Sequence, residues 1–150
     1  MTWTCKPFSQ LSTTELYAIL QLRTEVFVVE QQCVFQDMDN KDQHCLHLFT
    51  WKGDVLAAYA RLVPAGISFA EPSIGRVVSS PLARGTGVGR QLMQEAIRQL
   101  YQHWGPSPVR IGAQLYLENF YASLGFLRSS ENYPEDNILH LEMLLPLIHG

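Results

Sequence analysis

Ile74-Gly75-Arg76-Val77-Val78-Ser79-Ser80-Pro81-Leu82-Ala83-Arg84-Gly85-Thr86-Gly87-Val88-Gly89-Arg90 is the stretch whose reading decides the fold. A β-prone run, Ile74 to Ser79, reaches a turn at Ser80-Pro81, and glycines then alternate at Gly85, Gly87 and Gly89. A helical pattern starts at once, with Val88, Leu92, Met93, Ala96, Ile97, Leu100, Tyr101 and Trp104 on one face. Strand, glycine turn and helix N-terminus in that order predict an anion cradle. The first N–H groups of a helix have no intrahelical carbonyl, and the macrodipole adds partial positive charge there. Glycines clear side chains from that spot, so a phosphate can rest on the backbone. Arg84 adds a charge-assisted contact. A turn whose glycines serve only close packing is the structural alternative.

Working outward, the helix from Gly87 to His103 stops at Gly105-Pro106-Ser107-Pro108. Val109 to Ala113 reads as the next strand, so strand, helix and strand form a βαβ crossover with parallel or nearly parallel strands. Leu115 to Leu124 reads as a short helix capped by Gly125, and Leu139 to Leu145 as the last strand. Upstream, Ser12-Thr13-Thr14-Glu15 is a capping box, with Leu11 and Leu16 placed as a hydrophobic staple. The helix that follows should bury Leu16, Ile19, Leu20, Val26 and Phe27, and fray or end at Val26-Phe27-Val28-Val29. Arg23 falls beside that stripe and needs a partner such as Glu30. Leu46 to Trp51 and Val55 to Val63 form a hairpin about Lys52-Gly53-Asp54, and Ile67 to Phe69 adds a little extended chain. The sum is one α/β domain over residues 1–150 with a mixed sheet.

The chain has 150 residues, 47% hydrophobic and 17% charged, with a net charge of −3. That suits one soluble domain with a real core and argues against a nucleic-acid partner, which calls for a basic face. No apolar run spans a membrane, and Met1 to Gln10 lacks a signal-peptide core. Cys5, Cys33 and Cys45 cannot all pair, so free thiols in a reducing cytoplasm are expected. The segments 30–42 and 131–142 hold eight of the fourteen acidic residues, either as solvated loops or as a lure for a cation. Asp37-x-Asp39 resembles the start of a calcium loop, but Asp42 and Leu48 stand where glycine and glutamate are required. No metal is expected.

The cradle does not fit a P-loop, for no Lys-Ser or Lys-Thr pair follows, nor Gly-x-Gly-x-x-Gly, since the third glycine comes one residue early. It fits Arg-x-x-Gly-x-Gly through Arg84, Gly87 and Gly89. Downstream, Asn119-Phe120-Tyr121-Ala122-Ser123-Leu124-Gly125-Phe126 contains Asn-x-Tyr and Tyr-x-x-x-Gly-Phe. Together the two motifs resemble the GNAT N-acetyltransferases. Leu22-Arg23, Val26 to Gln31, Cys33, Asp37, Asp39, His47, Tyr59 to Leu62, Ile74 to Val77 and Gly112 to Gln114 are similar to the ElaA-like branch of that family.

The resemblance implies a mostly antiparallel sheet with helices on both faces and two parallel strands that splay around the pantetheine of acetyl-CoA. Backbone groups of Val77, Val78 and Ser79 would bond the pantetheine amides and polarise the thioester carbonyl. Ser79 departs from the family's usual aliphatic residue, at little cost to a backbone contact. Arg84, Gly85, Thr86, Gly87, Val88 and Gly89 would hold the pyrophosphate, and Asn119 either the pantetheine or a helix end. Tyr121 would protonate the departing thiolate, its ordinary pKa near that of an alkyl thiol. For the base that deprotonates the amine, Glu30 is favoured over His47, His140 and Glu142. The expected activity is direct acetyl transfer to a small cationic or peptide amine; a homodimer through edge strands suits the family. A non-catalytic acyl-CoA sensor or partner-binding module is the alternative, and a nucleotide-binding enzyme a third reading.

Overall fold

From the N-terminus the elements are β1 (Thr4–Pro7), α1 (Thr13–Arg23), β2 (Leu46–Lys52), β3 (Val55–Val63), β4 (Ser73–Ser79) and α2 (Val88–Trp104). There follow β5 (Val109–Gln114), α3 (Glu118–Ala122), β6 (Leu127–Arg128), β7 (Tyr133–Glu135) and β8 (Ile138–Leu145). The structure is a computed structural model and describes residues 1–147. Strands β1 to β4 pair antiparallel in chain order. Strands β5, β8 and β6 form a second antiparallel sheet, with β7 also on β8.

The one mixed sheet expected from the sequence is therefore hydrogen-bonded as two, and the break falls between β4 and β5. These strands meet near their N-terminal ends, where Arg110 N–H donates to the Pro72 carbonyl at 3.1 Å and the Arg110 guanidinium grips Glu71 at 3.0 Å. Farther along they part, and Ser79 and Gln114 at their C-terminal ends line a common cleft. The crossover helix α2 fills the space beneath: Val88, Leu92, Met93, Ala96 and Leu100 are buried, and Ile97 and Tyr101 half-buried. Each large apolar side chain so buried contributes about 1.5–3 kcal/mol. Along β3, Ala58, Ala60 and Leu62 join the α2 core, whereas Tyr59 joins Ile19, Leu22 and Val26 of the α1 layer. Helices thus cover both faces, as expected.

Helix α1 begins with the anticipated box: Glu15 N–H donates to Ser12 Oγ at 3.0 Å, and Ser12 N–H donates to Glu15 Oε1 at 2.8 Å. Its buried stripe is Ile19, Leu22, Arg23 and Val26, while Leu16, Leu20 and Phe27 are half-buried. The helix does not end at the branched run. It widens into a π-helical turn over Thr24–Glu30, with Gln31 N–H donating to Val26 and Cys33 N–H to Val28, each at 3.1 Å. Such turns relieve crowding and tend to occur at functional sites. Residues 67–69, expected to be extended, form a turn closed by Gly66 N–H on the Phe69 carbonyl at 2.7 Å. The short helix expected over Leu115 to Leu124 divides into a 3-10 turn, Leu115–Leu117, and α3.

Candidate active site

A cleft of about 550 Å³ opens between β4 and β5. Its walls come from the π turn and the loop after it, β4, β5, the start of α2, α3 and the β7–β8 hairpin.

At one end, Val77, Val78 and Ser79 line the cleft, and Arg84 and Gly89 stand at its mouth. Strand β4 has β3 on one side only, so its other edge faces the opening. A bulge interrupts the ladder: Tyr59 pairs with Val78 and Arg61 with Gly75, leaving Arg76 and Val77 opposite Ala60. Arg76 has a φ of 49°, in the left-handed region that non-glycine residues seldom adopt. A bulge bends its strand and leaves backbone groups unpaired.

The glycine turn is left-handed and open. Gly85 and Gly87 have φ of 81° and 80°, and Gly87 is the N-cap of α2 with no side-chain cap. Nothing lies within 4 Å of where a Cβ would stand at Gly85, Gly87 or Gly89. The packing-only alternative needs a close neighbour there and has none. Arg84 is engaged: its guanidinium holds the Glu30 carboxylate through two contacts of 2.7 and 3.0 Å, both side chains being exposed.

That pair corrects one expectation and weakens another. Arg23 does not bond Glu30; fully buried, it donates to Asp37 and Asp42 at 2.8 Å each. The hydrogen bonds from Arg84 hold the Glu30 carboxyl below the usual carboxylate range, which disfavours it as a proton acceptor. Of the two roles expected of Asn119, the geometry disfavours the pantetheine contact. Asn119 does not line the cleft, and its carbonyl accepts Ser123 N–H at 3.0 Å at the end of α3.

Tyr121 lines the cleft from α3, buried, with Phe120 and Phe126 packed edge-on at 5.2 and 6.0 Å between centroids. Its hydroxyl has no hydrogen-bond partner among the described residues. Burial pushes its pKa well up, with Tyr116 a smaller cause, so the balance expected from an ordinary phenol does not hold as stated. A thiolate desolvated in the same cleft is raised by the same physics.

The other end is held by buried charge. Arg61 binds Asp39 through both carboxylate oxygens at 2.8 and 2.9 Å and reaches Asp42 at 2.9 Å. Arg76 meets Asp37 at 2.8 Å. Burial opposes ionisation of Asp39, but the Arg61 hydrogen bonds and charge overcome it and hold the carboxyl far below its ordinary value. These pairs explain Asp37-x-Asp39 without calcium. They also fix the loop after the π turn against β3 and β4.

Two further links cross the cleft. The Gln31 and Gln114 amides exchange hydrogen bonds at 3.2 and 3.5 Å, and Cys33 S–H donates to the Asp136 carbonyl at 3.2 Å. Of the other base candidates, His47 is buried between Tyr59 Oη at 2.7 Å and the Asp42 carbonyl at 2.9 Å. Glu142 lies outside the cleft lining and faces Arg110 at 3.4 Å. His140 lines the cleft. Gln31, Gln114 and Arg76 stand in the blocks similar to the ElaA-like branch, but their pairing left no signal in the sequence, for it depends on register between distant segments.

Among the described residues, no helix is long and apolar enough to cross a membrane, and no group of three His, Cys, Asp or Glu could hold a metal. A family model described as an acetyltransferase (GNAT) domain matches residues 11–147. The chain is 44% identical to protein ElaA of Escherichia coli over 150 residues, covering 99% of this chain and 98% of that protein. It is 45% identical, at a TM-score of 0.91, to an acyl-CoA N-acyltransferase of Pseudomonas aeruginosa, covering 95% of this chain and 97% of that one. The crystal structure of Escherichia coli ElaA matches at a TM-score of 0.89 and 43% identity, covering 95% of this chain and 97% of that one.

Proposed function

Given that the chain belongs to the GNAT acetyltransferase family, acyltransferases with acetyl-CoA as co-substrate, we propose that it passes the acetyl group directly to an amine in a ternary complex. The observation that carries this reading is one continuous path. It runs from the uncapped N-terminus of α2, along the open edge of β4, to the unpartnered hydroxyl of Tyr121. Backbone groups of Val77, Val78 and Ser79 take the pantetheine amides as an added strand would. The N–H groups at the bulge polarise the thioester carbonyl. Arg84, Gly85, Thr86, Gly87, Val88 and Gly89 hold the pyrophosphate.

Arg84 must then exchange Glu30 for phosphate. Exposed ion pairs are worth little, so the exchange is easy. Tyr121 stays protonated in its dry setting and gives its proton to the departing thiolate. The protein works in the cytoplasm, where Cys5, Cys33 and Cys45 stay free thiols, and an edge strand such as β1 offers a homodimer contact.

The test is incubation with acetyl-CoA and a panel of polyamines, amino acids, aminoglycosides and short peptides, with products read by mass spectrometry. An acetylated amine is expected. Acetyl-CoA binding without any acetylated product would favour the sensor reading.

A further inference from the structure

Three side chains of the β7–β8 hairpin gather at the end of the cleft away from the glycine turn. Tyr133 and His140 are register partners, their rings stacked at 6.0 Å between centroids and 23° between planes. Gly112 on β5 makes room for this: a Cβ there would stand 3.3 Å from the Tyr133 hydroxyl. His140 is buried, and its Nδ1 lies 2.8 Å from the Ile138 carbonyl. A carbonyl only accepts, so Nδ1 carries the hydrogen, and in the neutral ring Nε2 presents a lone pair. Glu135 Oε2 stands 3.4 Å from that Nε2, on a side chain 60% exposed and without a Lys or Arg partner among the described residues.

Resting on the acetyl-transfer reading, we propose that His140 Nε2 takes the proton from the acceptor and that Glu135 binds the acceptor's positive charge, so that the acceptor is a cationic amine with at least two N–H groups. A lone pair and a carboxylate side by side form a two-point receptor for two N–H groups of one cation. An alcohol has one donor and no charge, so it cannot satisfy both. Of the other charged groups lining the cleft, Arg76 meets Asp37 and Arg84 meets Glu30, while the carboxylate of Asp136, beside Glu135, pairs with no Lys or Arg among the described residues and adds negative charge at this end. Tyr133 is a positioning residue that sets the plane of the imidazole.

The atoms balance. His140 takes one proton from the ammonium and passes it to solvent. The freed lone pair bonds the acyl carbon as the carbon–sulfur bond breaks, and that electron pair leaves on sulfur, where Tyr121's proton meets it. The nitrogen's second proton goes to solvent, and Tyr121 regains one from there.

The experiment compares the full-length chain with His140→Ala, His140→Gln and Glu135→Gln. Acetyl-CoA affinity is measured by calorimetry, and acetyl transfer to the amine panel by mass spectrometry. Both His140 variants should keep acetyl-CoA affinity within about twofold and lose about a hundredfold in kcat, and added imidazole should restore part of the His140→Ala rate. Glu135→Gln should raise the amine KM about tenfold with a smaller effect on kcat. Wild-type turnover in His140→Ala, or a loss that imidazole does not rescue, would overturn the assignment. A wild-type chain that binds acetyl-CoA but acetylates no amine would instead overturn the transfer reading on which the assignment rests.

Discussion

In the mechanism proposed, the cofactor end of the cleft is made of backbone and the acceptor end of side chains. At the first, the working groups are contiguous, from the open edge at Val77 to the left-handed glycines and the uncapped start of α2. At the second, they come from separate segments, such as Cys33 and Asp136, 103 residues apart and joined by one hydrogen bond. A backbone site keeps its shape under most substitutions that respect φ. A side-chain site depends on every residue that holds the segments in register. The first is therefore robust and the second fragile.

The largest expected effect follows from the buried charges. Asp42→Ala would leave Arg23 and Arg61 each short of a carboxylate partner in a site with almost no solvent. Stripping one partner from a buried pair costs about 3–5 kcal/mol, so the melting temperature should fall steeply. If the fold survives, amine acetylation should be lost while acetyl-CoA still binds. Equal damage at both ends would break the division.

Gly87→Ala asks the converse. An alanine at a φ of 80° costs about 1–2 kcal/mol in the left-handed region, so acetyl-CoA affinity should drop about tenfold as the turn relaxes. The amine KM should hardly move. Titration calorimetry and steady-state kinetics read the two separately.

Glu30→Gln is a finer probe, because Glu30 touches both readings. Freed of its carboxylate, Arg84 becomes available to the pyrophosphate, and acetyl-CoA should bind more tightly by a few-fold with kcat preserved. A large fall in kcat with unchanged affinity would restore Glu30 as the base.

The smallest effect is on pH. Burial, the largest cause, lowers the pKa of His47 against the opposing bond to the Asp42 carbonyl. The unfolded chain therefore binds the proton more readily than the folded one. The contribution of His47 is complete above about pH 6.5 and is lost as the pH falls through the lower folded-state value. Melting temperature should decline on acidification from neutral, and His47→Gln should flatten that decline.

Legibility in the sequence follows the same division. The stripe of α2, the capping box at Ser12 and the glycine turn are local patterns, and the structure has each of them. The π turn at Thr24–Glu30 has no such pattern, since a branched run that crowds a helix can as easily end it. The ionic cluster was half visible: Arg23 demanded a partner, but only the fold of the loop after the π turn chose Asp37 and Asp42 over Glu30. Strands β1, β6 and β7, of two to four residues, are too short to show alternation. The tip of the β7–β8 hairpin uses Asp136-Asn137, both at positive φ, where Asn-Gly or Asp-Gly would have announced a turn. That hairpin carries Tyr133, Glu135 and His140, so the acid-rich segment 131–142 and the base candidate His140 were visible in the sequence but their meeting in one hairpin was not.

Tyr121 is where the two ends of the proposed path meet: α3 places it in the cleft lining, and no group among the described residues bonds its hydroxyl. The most direct test is acetyl-CoA affinity and single-turnover acetyl transfer measured together on Tyr121→Phe. The account predicts affinity within about twofold of the native chain, because the lost hydroxyl bonds nothing among the described residues. It predicts a transfer rate lower by about a hundredfold, the usual worth of a positioned acid. A Tyr121→Phe chain that transfers acetyl at the native rate would contradict it.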